Sequence, residues 1–382
     1  MKNNIITIII ENLYIYINNR LTIILNKLNS DIRKIQFTGR STYILSLPKK
    51  WIEEMNLKAG DHVSISRSSN NSLCITPEQE KRLQDSTNEV STQVLIDEGP
   101  NTLKRKIVSM YLSGYNLINL RAKSARIQPI QREAVREVVR RSLIGTEIIA
   151  DSSDIITIQV LLTLPELSVN TAVRRMFLIA SSMHRDALVA VKEKNHDIAM
   201  GVIRSDDEVD RFSLYILRNL VMATNNERVL QEIGLKNASD CLSYRVTVKS
   251  IERVADHASR IASKSMEIQS LIPSLITEKL EKLSNSALEV LTSAVEAFLR
   301  RDYNLADKIA DKSDNVLCIE REIMLFLDSL ENKDIDSHNI NAGVKLILED
   351  IRRTVEHASD IAESAMNQTV GEIIKVEKKV EN

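Results

Sequence analysis

Aromatic residues, glycine, proline and cysteine are all scarce in this chain of 382 residues. Only 4% of the residues are aromatic and Trp51 is the single tryptophan, so a surface that stacks nucleic-acid bases on aromatic rings is not expected. Nine glycines and six prolines favour long helices with few turns. The three cysteines lie far apart and form no Cys-x-x-Cys pair, which excludes a zinc ribbon or a disulfide framework and favours a reducing compartment.

Neither sign of charge dominates, since 51 basic residues face 52 acidic ones and the net charge is -1. This balance excludes a globally basic coat protein, but it is compatible with a local basic patch. Hydrophobic residues make up 43% of the chain, which is ordinary globular composition. The length suits two or three domains.

The first 30 residues are rich in Ile and Asn, and Glu11 and Arg20 interrupt their apolar run. The run is too short for a transmembrane helix and lacks the cleavage site of a signal peptide. We expect residues 1–30 to be a disordered extension, or a start codon assigned too far upstream. The chain is therefore expected to be cytoplasmic, without membrane insertion.

Proline spacing and local patterns divide the rest of the chain. No proline occurs from 166 to 272 or from 274 to 382, which predicts two helical bundles. Asp256–Ala262 recurs one hundred residues later as Glu356–Ala362, which indicates an internal duplication. The predicted organisation is a strand-rich domain at 31–77, a linker at 78–90, a βαβαββ module at 91–165, bundles at 166–272 and 273–370, and a tail at 371–382.

A basic segment lies between Lys27 and Lys50, with six basic residues and the single acid Asp31. A surface of this kind neutralises nucleic-acid phosphates. The alternative is a solvated strand edge that charge protects from pairing.

The run from Arg33 to Trp51, closed by Leu57–Val63, resembles a SpoVT-AbrB domain, notably at Gly39, Leu47-Pro48-Lys49 and Gly60-Asp61. The resemblance implies a swapped-hairpin β-barrel formed by two chains, and therefore a homodimer that presents basic residues to DNA. The DNA-contact candidates that it implies are Arg33, Arg40, Lys49 and Lys50. The family also includes antitoxins and domains that only dimerise.

Two pairs of carboxylates recur at helical spacing in the first bundle. Asp206 and Asp210, like Glu252 and Asp256, are four residues apart, so each pair shares a helix face. Hard oxygen ligands from two neighbouring helices suit a divalent or ferric cation (Mg, Mn, Fe or Zn). The alternatives are an Asp256–Arg260 ion pair and a capping box at Ser205 that places Asp206 in a first helical turn.

Residues 251–262 resemble the signature helix of the PhoU family, in its archaeal type, and residues 202–210 resemble the partner helix of that family. The resemblance implies tandem three-helix bundles, a role in phosphate uptake and signalling, and metal ligands at Asp206, Asp210, Glu252 and Asp256. The fold class expected is therefore α+β at the N-terminal part, a swapped-hairpin barrel plus a small α/β module, followed by all-α PhoU-like bundles.

The second bundle departs from this pattern, because Arg352 stands where the first repeat has Glu252. Glu356 and Asp360 keep the spacing of four residues but are shifted by one helical turn, and Arg352 with Glu356 has the spacing of a salt bridge. His257 and His357 each follow the motif acid by one residue and point about 100° away from it. Packed or interface histidines are the expected role.

Together these features predict a DNA-binding regulator of phosphate homeostasis, in which the bundles sense phosphate status and control the barrel. No nucleophile–base pair or glycine-rich phosphate loop is present in the sequence, and no enzyme activity is expected. The alternative is an adaptor that docks the ATPase of a phosphate ABC transporter, with the barrel acting only as dimeriser.

Overall fold

A computed structural model describes residues 31–39, 41–67, 72–77, 88–124, 126–161, 167–268, 270–330 and 335–380. The chain divides into two compact units, Met1–Asp85 and Ser86–Asn382. The predicted extension at 1–30 and the candidate Arg40 lie outside the described residues.

Among the described residues of the first unit are two antiparallel strand pairs and one short helix. Phe37 pairs with Tyr43 in the first hairpin, and Ile65 pairs with Ile75 in the second. The elements are β1 (Gln36–Thr38), β2 (Thr42–Ile44), α1 (Lys49–Glu54), β3 (Val63–Arg67) and β4 (Leu73–Pro77). Pro48 is the N-cap residue of α1, because its fixed φ suits a helix start.

This unit leaves most of its apolar side chains exposed. Phe37 and Tyr43 are 59% and 71% exposed, and their rings contact each other edge to face at 5.1 Å between centroids. Ile65 and Leu73 lie on one face of the second hairpin and are also exposed. A hairpin that buries so little is marginal on its own, because two strands without a covered apolar face have little driving force to fold.

The second unit begins with a four-stranded sheet and two helices, in the predicted order βαβαββ. The strands lie in the order β5-β6-β8-β7; β5 and β6 are parallel and the other neighbours are antiparallel. The elements are β5 (Glu89–Val94), α2 (Pro100–Leu112), β6 (Leu117–Ala122), α3 (Pro129–Arg141), β7 (Thr146–Asp151) and β8 (Ile155–Val160). The predicted linker at 78–90 is therefore too long, since β5 begins at Glu89.

In the described residues from 167 to 380, seven helices follow. They are α4 (Val169–Glu193), α5 (His196–Asn225), α6 (Glu227–Glu232), α7 (Asp240–Glu267), α8 (Ser274–Arg300), α9 (Tyr303–Leu330) and α10 (Ile335–Val380). Ser168 and Asn195 cap α4 and α5 by accepting backbone N–H groups, as short polar side chains do at helix starts. The last helix continues to Val380, where a tail was predicted from 371.

One hydrophobic core runs through the helices of both predicted bundles, so the two repeats bury a common apolar surface. A separate core fills the α/β module. The predicted fold class, strands and a small α/β module followed by helical bundles, is confirmed. No helix among the described residues is both long enough and apolar enough to cross a lipid bilayer.

Arg218 of α5 joins the helices to the α/β module. Its side chain is 2% exposed, and its guanidinium donates to the carbonyl oxygens of Tyr111 and Gly114 and to Oδ1 of Asn116. The guanidinium carbon also lies 4.8 Å from the centre of the Tyr111 ring, a cation–π distance. Gly114 ends α2 at a φ of +91°, and a Cβ there would lie 3.2 Å from Cγ of Met222.

We expect Arg218→Met to lower the free energy of unfolding by about 3 kcal/mol, because two carbonyls and an amide oxygen lose a charged donor in a buried place. Urea unfolding followed by circular dichroism measures this. Arg204→Met, an exposed arginine on the same helix, is the control and should change stability by less than about 0.5 kcal/mol. Equal stability of the two variants would show that Arg218 does not hold the joint.

Candidate functional site

The four carboxylates predicted in the first bundle lie on two helices that pack together. Asp206 and Asp210 are on α5, and Glu252 and Asp256 are on α7. The neighbouring positions Ile251, Ala255, Ala258 and Ala262 are fully or almost fully buried, which confirms the predicted apolar stripe. The carboxylates therefore border the core instead of facing away from it.

Like charges and partial burial perturb these acids. Burial, and then the charges of Asp256 and Asp210, raise the pKa of Asp206 to about 7. Burial, and then Glu252 and Asp256, raise the pKa of Asp210 to about 6. Each cause penalises the ionised form, so the two acids of α5 sit in a field that resists their full ionisation near neutral pH.

The hydrogen-bonding capacity of the cluster is only partly used. Oδ1 of Asp206 is buried and has no hydrogen-bond partner, whereas Glu252 pairs with Lys249 on its own helix. Within the described ranges, no group of three or more His, Cys, Asp or Glu side chains is arranged to hold a metal ion. The donor chemistry fits a hard cation, but the side chains as placed do not converge on a common point.

Both alternative explanations of these acids are wrong. Ser205 does not begin a helix, because it lies inside α5 and donates to the carbonyl of Gly201. Arg260 forms no ion pair with Asp256 in the described part of the chain; its guanidinium lies 3.6 Å from Asp350 and contacts His257. The sequence offered no signal for this, since Asp350 is ninety residues further along the chain.

The second bundle replaces the acidic cluster with an ion-pair network. Arg352 pairs with Glu349 at 2.6 Å and also with Glu356, which confirms the predicted salt bridge. Glu356 is shared with Arg353 at 2.9 Å. Asp360 faces the His357 ring at 3.4 Å. Glu356 is thus already neutralised by two arginines, which disfavours a metal role for this pair.

The two repeated histidines meet where α7 crosses α10. The rings of His257 and His357 are 5.5 Å apart between centroids, and Nδ1 of His257 lies 2.7 Å from Oδ1 of Asp350. Burial lowers the pKa of His357, which Asp360 partly opposes. Both histidines are buried and pack at the contact between the repeats, as expected.

The basic candidates of the first unit are exposed but carry acidic neighbours. Arg33 lies 2.6 Å from Asp31. Lys49 lies 3.5 Å from Glu53, and Lys50 lies 3.8 Å from Glu54. Ion pairs of this kind, exposed to water, contribute little to stability. The structure describes three of the four predicted DNA-contact residues, and the fourth is Arg40.

We expect Asp206→Asn to become more stable relative to wild type as pH rises from 5 to 8. An acid whose pKa is higher in the folded state contributes stability below its ordinary value of 3.8 and loses it as pH rises through about 7. Asn has no such titration. Thermal melts across this pH range measure the difference, with the exposed Glu193→Gln as control. A difference that stays constant with pH would contradict the electrostatic account.

Models of two protein families match this chain, each over a different range of residues. The family model of the PhoU domain matches residues 173–265. The model described as antidote-toxin recognition MazE, bacterial antitoxin, matches residues 36–83.

Several relatives are phosphate-specific transport system accessory protein PhoU homologs. The homolog 1 of Thermotoga maritima is 24% identical over 208 residues, covering 53% of this chain and 85% of that protein. The Xylella fastidiosa homolog is 23% identical over 209 residues, covering 53% and 84%. The Aquifex aeolicus homolog is 26% identical over 195 residues, covering 50% and 84%. These relatives are bacterial, so the archaeal type stays a prediction.

Two solved structures also align with the chain. PhoU from Pseudomonas aeruginosa aligns with a TM-score of 0.47 at 19% identity, covering 53% of this chain and 96% of that one. The phosphate transport system regulatory protein PhoU from Streptococcus pneumoniae aligns with a TM-score of 0.46 at 20% identity, covering 53% and 94%. Residues 173–265 are therefore similar to the PhoU domain, and residues 36–83, nearer the N-terminus, are similar to the MazE antitoxin domain.

Proposed function

We propose that this chain is a DNA-binding regulator of phosphate uptake and phosphate homeostasis. The observation that carries the proposal is the presence, in one chain, of a MazE-type match at residues 36–83 and a PhoU match at residues 173–265. The helical bundles respond to phosphate status, and the N-terminal barrel binds operator DNA. The protein regulates and does not catalyse.

The first unit supplies the dimeric barrel. Its strands expose Phe37, Tyr43, Ile65 and Leu73, and apolar side chains in such number are covered in a folded protein. A second copy of the same hairpins covers them if the two chains interleave. The barrel is then a homodimer whose core exists only in the assembled form.

The barrel binds the DNA backbone through its exposed basic side chains. Arg33, Arg40, Lys49 and Lys50 are proposed to contact phosphates. Lys49 and Lys50 carry only exposed intrahelical ion pairs with Glu53 and Glu54, which are worth about 0–1 kcal/mol. Replacing these glutamates with DNA phosphates releases counterions and favours binding.

The helical unit supplies the response to phosphate. Its relatives are named accessory proteins of the phosphate-specific transport system, so a component of such a system, the ABC transporter ATPase among them, is the proposed partner. The proposed location is the cytoplasm. A change in the bundles would alter the geometry of the barrel and thereby its affinity for DNA.

The proposal assigns a divalent or ferric cation (Mg, Mn, Fe or Zn) to Asp206, Asp210, Glu252 and Asp256. Support comes from the unpartnered Oδ1 of Asp206, and from the burial and then the neighbouring carboxylates that raise the pKa of Asp206. A bound cation would neutralise these carboxylates and stabilise the fold, by ~2.7 kcal/mol at a hundredfold excess over the dissociation constant. Elemental analysis of the purified protein, beside that of Asp206→Asn, tests the assignment.

A second candidate function is an adaptor that docks the transporter and uses the barrel only to dimerise. The pairing of Lys49 and Lys50 with Glu53 and Glu54 favours it, because α1 then carries no net charge. The adaptor binds no DNA, and this difference separates the two functions.

We expect Ile65→Ser to convert the full-length protein from dimer to monomer, because the side chain is exposed in one chain and buried only if a second chain covers it. Light scattering across a concentration series measures the mass. Leu271→Ser changes a side chain of the second unit that is 68% exposed, and this control should keep the dimer. A monomeric wild type, or a dimeric Ile65→Ser variant, would rule out the barrel as the dimer contact.

We expect the double variant Lys49→Ala, Lys50→Ala to bind DNA upstream of phosphate-transport genes more weakly than wild type. Its salt dependence should be shallower by roughly one unit of slope per lost phosphate contact. Gel-shift titrations around ~0.15 M salt measure both quantities, and Lys58→Ala in the following loop is the control. Wild-type protein that shows no salt-dependent DNA binding would leave the adaptor as the function, and mapping of DNA occupancy in cells at high and low phosphate extends the test.

A further inference from the structure

A surface cavity of about 420 Å³ lies where the α/β module meets the helices. Ile144 of the loop after α3 and Leu167 before α4 form its apolar sides, and Phe212 and Tyr215 of α5 form an aromatic wall. The hydroxyl of Tyr215 donates to the carbonyl of Leu167 at 3.2 Å. The cavity is therefore framed by fixed groups, and its volume falls within the ~300–1,000 Å³ typical of small-molecule sites.

Two arginines, Arg175 and Arg211, line the cavity. The guanidinium carbon of Arg175 lies 5.1 Å from the centre of the Phe212 ring, so the ring supports the cation from one side. Nε of Arg211 is buried and makes no hydrogen bond. Neither arginine forms an ion pair within the described ranges of the chain, even though a buried guanidinium donor without an acceptor is costly.

The lining has a distribution of charge that selects its ligand. Arg175 and Arg211 bring two positive charges, and Glu208, at the exposed side of the cavity, brings one negative charge. A phosphate monoester carries close to two negative charges at neutral pH and has several acceptor oxygens, which match the planar, multi-donor guanidinium groups. A hydroxyl or amino group on the organic part would donate to Glu208.

We propose that this cavity binds a small organic phosphate monoester. Arg175 and Arg211 hold the phosphoryl group, Phe212 and Tyr215 contact the organic body, and Glu208 accepts a hydrogen bond from that body. Inorganic phosphate supplies the anion but leaves the apolar walls and Glu208 unused, so it binds more weakly. The site is distinct from the acidic cluster of Asp206 and Asp210, and the proposal does not depend on DNA binding.

The position of the cavity gives a bound ester a structural effect. The hydroxyl of Tyr111 donates to the carbonyl of Ile144 at 3.1 Å, and the same tyrosine lies beneath the guanidinium of Arg218. A ligand that fills the cavity therefore contacts both sides of the joint between the α/β module and the helices. Its binding should raise the thermal stability of the whole protein by mass action.

Isothermal titration calorimetry on the full-length protein tests the proposal with three esters of different bodies: glycerol 3-phosphate, glucose 6-phosphate and adenosine 5′-monophosphate. Inorganic phosphate, sulfate, glycerol, glucose and adenosine are the comparison ligands. We expect at least one ester to bind about tenfold or more tightly than inorganic phosphate, sulfate and its own unphosphorylated body. Arg211→Met should weaken that ester by about tenfold or more.

Arg175→Met is the second variant, because it alters an exposed side chain and leaves Arg211 in place. It should also weaken binding of the ester. Arg174→Met, the adjacent arginine that does not line the cavity, should bind as wild type does. Thermal melts establish that each variant is folded. The proposal is overturned if no ester binds the wild-type protein with a dissociation constant below roughly 1 mM, or if adenosine binds as tightly as its monophosphate. It is also overturned if Arg175→Met binds the ester with wild-type affinity.

Discussion

A single buried guanidinium, that of Arg218, sets the relation between the α/β module and the long helices in the second unit. It is surrounded by Tyr111, Gly114 and Asn116 and faces oxygen acceptors instead of a carboxylate. A buried cation requires well-placed hydrogen-bond acceptors, because every donor left without an acceptor costs free energy. The α/β module is therefore held in a defined position on α5. The residues that line the cavity beside Tyr215 are fixed by the same packing.

The two helical repeats share a core but have diverged in charge. Both retain a histidine at the crossing of α7 and α10, where His257 and His357 pack against each other. In the first repeat, carboxylates crowd together and Asp206 is left with a raised pKa. In the second, Arg352 fills the corresponding position and neutralises Glu356. The first repeat thus keeps a crowded set of carboxylates, of which Glu252 pairs with Lys249, whereas the second repeat supplies an arginine that pairs with its acids.

The exposed side chains of the first unit indicate which partners this unit binds. A hairpin with Ile65 and Leu73 on one exposed face has the side chains of a protein core but not the covering layer. The same segment carries Lys49 and Lys50, which pair with glutamates one helical turn away. The proposed dimeric DNA-binding barrel rests on two physical features of this segment. Its exposed apolar side chains are buried if a second copy covers them, and its lysines can exchange their glutamate partners for DNA phosphates.

The sequence by itself determined the elements and their order, because hydrophobic periodicity, prolines and the repeat of Asp256–Ala262 as Glu356–Ala362 are local features. It also located the acidic pairs, since a spacing of four fixes a shared helix face. It could not show that Arg260 faces Asp350, or that Arg175 and Arg211 line one cavity with Ile144. Those contacts join residues distant along the chain, and only the packing of α5 against the α/β module and of α7 against α10 brings them together.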